Sequence, residues 1–416
     1  WNKKRNIWSY DWGKLKNKIN YKIKKGDKMK PMHGAYLYKA LKDKGCIIMA
    51  CNTRICVGIM NGLFRAAKES DSALIIELAK SECNADGGYT GLTPKTLSEH
   101  ACKTASEVEF EVWGLHADHT AVKKGSEEEL EEVKKLLTSC IDTGYSSFAI
   151  DASHLFNFEG NGVEEELADN IRSTIVCGEH IKQKYNEKHG NSEFGFEVEV
   201  GEIGRKGNEG MILTSPEEAD GYIKALNNAE VYPQVLAIAN GSTHGNIYDD
   251  NGKLIEQINI DIEQTKSVAQ ALRNMNSEVR IAQHGITGTP LNIIKKEFPH
   301  GDIIKGNVGT FWQNLFWNVV KEKNPEFFNK VHKWVIDTYS EKAKEKGAKS
   351  DDEIWGKFGK FATKQFFDEI YALDSETVKK IEDKTYEEAL KFFDAFKANG
   401  SAQIVRDYIK KINDED

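Results

Sequence analysis

Between about residue 46 and residue 323, short apolar runs alternate eight times with segments of helical period. A strand that is always followed by a helix pairs in parallel with the next strand. Eight such units close into a (β/α)8, or TIM, barrel. The strand-like runs are 47–50, 73–78, 112–115, 147–150, 194–200, 235–239, 279–282 and 303–304. The helix starts carry their own punctuation. Thr93-Pro94 and Ser215-Pro216-Glu217-Glu218 each set an oxygen-bearing cap before a first-turn proline. Ser126 precedes an acidic turn that suits the positive end of a helix dipole.

The pattern changes on both sides of this span, which divides the chain into 1–45, 46–323 and 324–416. The first 30 residues carry eleven Lys or Arg against two Asp, punctuated by Trp1, Trp8 and Trp12. They lack the apolar stretch of a secretory signal. A basic surface extension is expected, with an oligomer contact or an organellar targeting remnant as alternatives. Residues 324–416 read as an additional C-terminal helical region with helices over 324–346, 351–373, 375–398 and 402–412. Phe358, Phe361, Phe366, Phe367, Phe392, Phe393 and Phe396 recur there at helical spacing. That points to packing against the barrel or a neighbouring subunit. Nothing in this appendage suggests chemistry.

The net charge of −8 argues against general nucleic-acid binding. No apolar run approaches the roughly 20 residues of a membrane helix. Seven cysteines, none in a C-x-x-C pair, lie mostly inside apolar segments. Reduced, buried thiols and a cytoplasmic location are therefore expected, and a cysteine-built zinc site is not.

The chemistry concentrates where strands end, as barrel enzymes require. His116-Ala117-Asp118-His119 follows one apolar run, and His244-Gly245 and His284-Gly285 follow two others. Neutral imidazole suits zinc or a similar divalent ion, and three protein ligands leave a position open for substrate. His119, His244 and His284 are the candidate ligands. Strict alternation would turn His116 away from His119, so His116 reads as a supporting group. Asp118 is placed to move a proton, or else to orient a ligand histidine. Period two puts Glu197 and Glu199 on one face of the fifth strand. The loop 201–210, rich in glycine and charge, reads as a mobile lid. Gly245, Gly285-Ile286-Thr287-Gly288 and Gly306-Asn307-Val308-Gly309-Thr310 can offer N–H groups and hydroxyls to a phosphate, the last two after strands seven and eight.

Taken in order, LHADH at 115–119, SSFAIDASH at 146–154, EVEVGEIG at 197–204, TSPEEA at 214–219, the ANGSTHGNIY stretch, HGITGTP at 284–290 and IKGNVGT at 304–310 resemble the class II, metal-dependent fructose-bisphosphate aldolases. The resemblance spans roughly residues 46–320. It implies that His119, His244 and His284 hold a catalytic Zn2+, with Co2+ or Fe2+ as alternatives and a monovalent cation nearby. It implies that Glu199 can touch the metal and that Asp118 exchanges the proton of the C4 oxygen. It also implies that a lid glutamate, best matched by Glu209, serves the C3 carbon. Gly245, Gly285, Thr287, Asn307 and Thr310 would contact phosphate and dihydroxyacetone, with Asn52 and Ser81 on the substrate side. The second-phosphate ligand is not assigned by resemblance; Arg54, Arg205 and Arg280 are available.

Family members usually carry an acid where Gly309 stands, and the lid sequence here is altered. The implied activity is reversible cleavage of fructose 1,6-bisphosphate to dihydroxyacetone phosphate and glyceraldehyde 3-phosphate, a step of glycolysis and gluconeogenesis. The alternatives are the same chemistry on another ketose phosphate such as tagatose 1,6-bisphosphate, or a non-catalytic barrel. Small phosphosugars are the implied partners, with neither nucleic acid nor membrane, and a homo-oligomer is expected.

Overall fold

A computed structural model describes residues 29–415 except 191, 205, 208, 209, 250 and 276. The basic segment 1–28 therefore lies outside the described residues. Eight parallel strands form one closed barrel in chain order: β1 (Ile48–Asn52), β2 (Leu74–Ala79), β3 (Trp113–Ala121), β4 (Ser147–Asp151), β5 (Gly195–Glu199), β6 (Val235–Ala237), β7 (Arg280–Gln283) and β8 (Ile303–Val308). β1 closes the ring by pairing with β8, Ala50 opposite Asn307. Strands covered on both faces have no polar side to alternate with, and β1, β4 and β5 are buried at every position.

A helix α1 (Gly34–Leu41) precedes the barrel. Helices α2 (Ile59–Glu69), α3 (Pro94–Val108), α4 (Glu127–Asp142), α5 (Ala168–His189), α6 (Pro216–Asn228), α7 (Ile262–Asn274), α8 (Leu291–Glu297) and α9 (Thr310–Lys323) follow the eight strands in turn. The sequence punctuation works as expected. Thr93 and Ser215 each form a reciprocal capping box, with Thr96 and Glu218, and Ser126 accepts from the Glu129 N–H.

α1 lies under the barrel, where β3, β4 and β5 begin. Gly34 abuts Ser147, and Gly114 and Gly195 leave room for Leu37 and Tyr38. The Tyr38 hydroxyl sits 3.4 Å from Ser147 Oγ. The appendage then wraps the barrel as α10 (Pro325–Glu345), α11 (Asp351–Phe358), α12 (Ser375–Ala395) and α13 (Ser401–Glu415). α12 lies on α2 with almost no gap: a Cβ on Gly62 would meet Glu382 O and Thr385 Cβ at 2.5 Å. Arg406 of α13 reaches Asp71 and Glu111, both at 2.6 Å. One hydrophobic core runs across the sequence boundaries at 45 and 323, joining Leu37, Ile48, Phe316, Phe392 and Val405.

The helix expected over 351–373 is broken. It becomes α11, a 3-10 turn Gly359–Phe361 and two short helices, Ala362–Gln365 and Phe367–Tyr371. Phe358, Phe361, Phe366 and Phe367 would point around an unbroken helix rather than down one stripe. The breaks let Phe358 and Phe366 bury fully while Phe361 and Phe367 pack from the edge.

Candidate active site

The histidine motif lies inside a strand rather than beyond its end, because β3 continues to Ala121. Pairing with β4 slips between Ala117 and Thr120, and His119 adopts φ +34°. This bulge cancels the alternation. His116, Asp118 and His119 all face the interior, which corrects the expectation that His116 and His119 point to opposite faces. Side-chain contacts place each of them. His116 Nδ1 meets Ser147 Oγ at 2.7 Å, and its Nε2 lies 3.5 Å from Glu197. Burial holds the His116 ring neutral, near a pKa of about 3.

His119, His244 and His284 come together, each offering a nitrogen within 4.8 Å of the others. His284 follows β7 directly, whereas His244 stands on a loop beyond β6, which ends at Ala237. His119 Nε2 and His284 Nδ1 are 2.8 Å apart. Their other nitrogens are held by carboxylates. His284 Nε2 donates to Glu197 Oε1 at 2.9 Å, and His119 Nδ1 meets Glu199 at 3.0 Å and Asp151 at 3.3 Å. A histidine whose far nitrogen is tied to a carboxylate has a fixed ring and a basic near nitrogen, the usual support of a metal ligand. Two such nitrogens, from His119 and His284, with a ring nitrogen of His244, fit a borderline divalent ion such as zinc. Glu199 thus braces His119 on the side away from His284. Burial, then Asp151, pushes the Glu199 carboxyl up to about 8 against the pull of His119.

Beneath the histidines lies a layer of buried charge that motif reading had not located. Lys305 of β8 is wholly buried among Glu197 at 2.7 Å, Glu77 at 2.9 Å and Asp118 at 3.4 Å. Burial works against its charge, but these three carboxylates hold its ammonium well above the usual lysine range. Burial likewise works against ionised Asp118, yet Lys305 and the neighbouring histidines hold its carboxyl well below the usual range. Asp118 also accepts from Asn52 at 3.2 Å and from Asn307 at 3.1 Å. Asn307 Nδ2 is shared with Glu77 at 2.7 Å, so this residue braces acids. Glu77 and Lys305 are single residues inside apolar strands and carry no spacing motif, whereas sequence reading singles out Glu197 and Asp118 without their link to Lys305.

The histidines open into a cavity of about 610 Å3. It is lined by Asp118, His119, Glu199, His244 and His284, with Asn52, Ser81, Gly245, Gly285, Thr287, Asn307 and Thr310, whereas Arg280, available by sequence for the second phosphate, starts β7 and pairs with Asp43 at 2.9 Å instead. Glu209 lies outside the described residues. The expected glycine turn at 306–310 is narrower than the sequence suggested, because β8 runs to Val308 and leaves Gly309-Thr310 at the start of α9. Gly245 has φ +88°, and a Cβ there would face Thr310 Oγ1 at 4.0 Å. The Thr287 hydroxyl accepts from the Phe311 N–H at 3.1 Å. The sequence missed Glu82, which Arg54 pairs at 2.7 Å and Tyr89 meets at 2.6 Å.

Fold and site together define a TIM barrel with a histidine and carboxylate centre at the carboxyl ends of its strands. The chain matches the class-II fructose-bisphosphate aldolase family model over residues 33–360, and it belongs to that family. No curated protein matches it significantly. Among solved structures, the fructose-bisphosphate aldolase of Campylobacter jejuni shares 19% identity at a TM-score of 0.57, covering 88% of this chain and 95% of that one. The YdjI aldolase of Escherichia coli K12 shares 19% at 0.54, with 88% and 97% covered. A Sinorhizobium meliloti 1021 protein named for tagatose 6-phosphate kinase shares 14% at 0.56, with 88% and 99% covered. At these identities the likeness concerns the fold.

Proposed function

We propose that this class II aldolase cleaves fructose 1,6-bisphosphate reversibly to dihydroxyacetone phosphate and glyceraldehyde 3-phosphate. The observation that carries the reading is the convergence of His119, His244 and His284 beside an ionised, braced Asp118 in one cavity. We assign His119 Nε2, His284 Nδ1 and a ring nitrogen of His244 as the holders of zinc. A divalent ion held there supplies Lewis acidity at the ketose carbonyl.

The chain's own groups do the rest. Asp118 takes the proton of the C4 hydroxyl as the C3–C4 bond breaks, giving the aldehyde, and the bond's electron pair stays on C3. C3 then takes a proton from the lid, for which Glu209 is our candidate, and dihydroxyacetone phosphate leaves. Condensation runs these transfers backwards. Gly245, Gly285, Thr287 and Thr310 orient the dihydroxyacetone phosphate half, and Asn52 and Ser81 face the other. Asn307 acts by holding Asp118.

One observation favours a second reading, cleavage of another ketose bisphosphate such as tagatose 1,6-bisphosphate. Gly309 places no side chain in the cavity, and a Cβ there would stand 3.2 Å from Asn52 Cβ and 3.4 Å from Arg54 Nη2. The Asn52 amide oxygen and the Arg54 guanidinium, rather than an acid, then border that position. Metal analysis of the purified protein, with cleavage assays on fructose and tagatose 1,6-bisphosphate, tests both readings. Turnover that survives thorough chelation would overturn the metal assignment. Absence of turnover on either epimer with metal loaded would overturn the substrate class.

A further inference from the structure

The third histidine is held differently from the other two. Carboxylates brace the rings of His119 and His284, but none braces that of His244 among the described residues. Its backbone is fixed instead. Loop 240–245, which carries it, is gripped on two sides. On one side, Asn240 O accepts from the Asp261 N–H at 2.7 Å. Gly241 has φ +88°, and a Cβ there would stand 2.3 Å from Asn259 O. Thr243, the residue before the histidine, gives both its N–H and its hydroxyl to Gln257 Oε1, each at 2.9 Å. On the other side, a Cβ on Gly285 would meet Thr243 O at 2.6 Å, so the loop lies directly on the turn after His284.

Gln257 comes back to this loop from a hairpin, Ile247–Tyr248 against Leu254–Ile255, that separates it from His244. The appendage fastens that hairpin: the Ser350 hydroxyl donates to Gly252 O at 3.2 Å, and the Tyr248 hydroxyl donates to Asp352 O at 3.4 Å. The Gln257 side chain is fully buried. Its amide nitrogen has no partner among the described residues, so both bonds of this side chain go to Thr243. A backbone N–H can only donate, so the amide oxygen must be the end that faces Thr243. The Gln257 N–H donates in turn to Gly288 O at 2.9 Å. Gln257 therefore ties the segment that carries His244 to the segment that follows His284. An apolar side chain would fill the same space without burying an unmet donor, which costs free energy. What glutamine adds is the acceptor for Thr243.

We propose that Gln257 is a positioning residue for the metal: through Thr243 it holds loop 240–245 in the conformation in which His244 joins His119 and His284. This rests on the assignment of those three histidines as the holders of zinc. His119 lies in a strand and His284 directly after one, so pairing in the barrel fixes them. His244 stands beyond the end of β6, and its place depends on the loop. A ligand set that is assembled only part of the time lowers the apparent metal affinity by that fraction. Loosening the loop therefore weakens metal binding directly.

The test measures zinc binding to the metal-free full chain, by competition with a coloured chelator, for the wild type, Gln257→Met and Thr243→Val. Methionine is unbranched and close in length to glutamine but lacks the acceptor, so Gln257→Met removes both bonds. Its Kd for zinc should rise by about 10- to 100-fold. The visible spectrum of the cobalt-loaded protein, which follows ligand number and geometry, should shift in the same variant. Thr243→Val removes only the hydroxyl bond, and its Kd should rise by about two- to tenfold. Zinc affinity in Gln257→Met within about twofold of the wild type overturns the proposal, as does a cobalt spectrum that does not move. Either result would leave Gln257 a support of the fold alone, even where the melting temperature of the metal-free variant falls. If Gln257→Met does not fold, Thr243→Val decides, and an unchanged zinc affinity there overturns the proposal. The metal reading fails separately, if His244→Ala binds zinc as tightly as the wild type.

Discussion

The two poles of the cavity are built differently. At the histidine pole Asp118, His119 and His284 sit in a strand or directly beyond one, and these three are braced by other buried groups: His284 by Glu197, His119 by Glu199 and Asp151, Asp118 by Lys305, Asn52 and Asn307. At the lysine pole, where Lys360 lines the cavity beside Tyr89, the cation stands on an irregular turn of the appendage, and aromatic packing and one hydroxyl hold that turn to the barrel. Bracing by buried charge fixes geometry tightly but fails badly when one partner is lost, since the remaining charge is then buried unpaired. Bracing by packing tolerates loss better. The histidine pole suits bond breaking and the lysine pole suits recognition.

The largest effects should therefore come from the histidine pole. His244→Ala should lower bound zinc below stoichiometric and reduce cleavage beyond detection, as should chelation of the wild type, with added zinc restoring only the wild type. Asp118→Asn keeps the shape but loses the base. Its turnover should fall by about 10²- to 10⁴-fold, while metal content stays at the wild-type level. A variant that keeps more than a tenth of wild-type turnover would remove Asp118 from the chemistry.

The contrast also explains what could be read in the chain beforehand. Eight strand–helix units are local patterns, and each histidine sits in a short stretch that advertises a strand end, so the barrel and the three histidines were legible. The position of His116 was not, because a bulge in β3 depends on pairing with β4 and leaves no periodic signal. Glu77, Glu197 and Lys305 were legible as residues but not as a cluster, since only barrel closure brings β2, β5 and β8 to one point. Lys360 was invisible for a related reason. Its meeting with Tyr89 depends on how the appendage docks, and the break at Gly359–Phe361 that aims it looked like uninterrupted helix.

Glu197→Gln should have an intermediate effect and separates bracing from catalysis. Glu197 stands between Lys305 and His284, accepting from both. The amide keeps the volume but halves the acceptor capacity and removes the charge. Metal affinity should fall by about 10- to 100-fold, with turnover recovered at saturating zinc. If turnover stays low when zinc is saturating, Glu197 does more than hold His284.

The smallest effect should come from the hydroxyl that fastens the appendage to the barrel. Thr363 Oγ1 donates to Tyr89 O at 2.8 Å, and valine is close to isosteric with threonine, so Thr363→Val removes one hydrogen bond with little change of shape. One neutral hydrogen bond is worth about 0.5–1.5 kcal/mol, which corresponds to roughly a two- to tenfold change. The turn would keep its stacking on Tyr339, so Lys360 would be loosened rather than removed. KM for the bisphosphate should rise within that range, kcat should change by less than about twofold, and metal content should not move. An equal fall in kcat would mean that the two poles are mechanically coupled through Tyr89 and Glu82, whose carboxylate also accepts from Asn52, a neighbour of Asp118. Steady-state kinetics on this single variant thus decides whether recognition and chemistry are separable in this cavity.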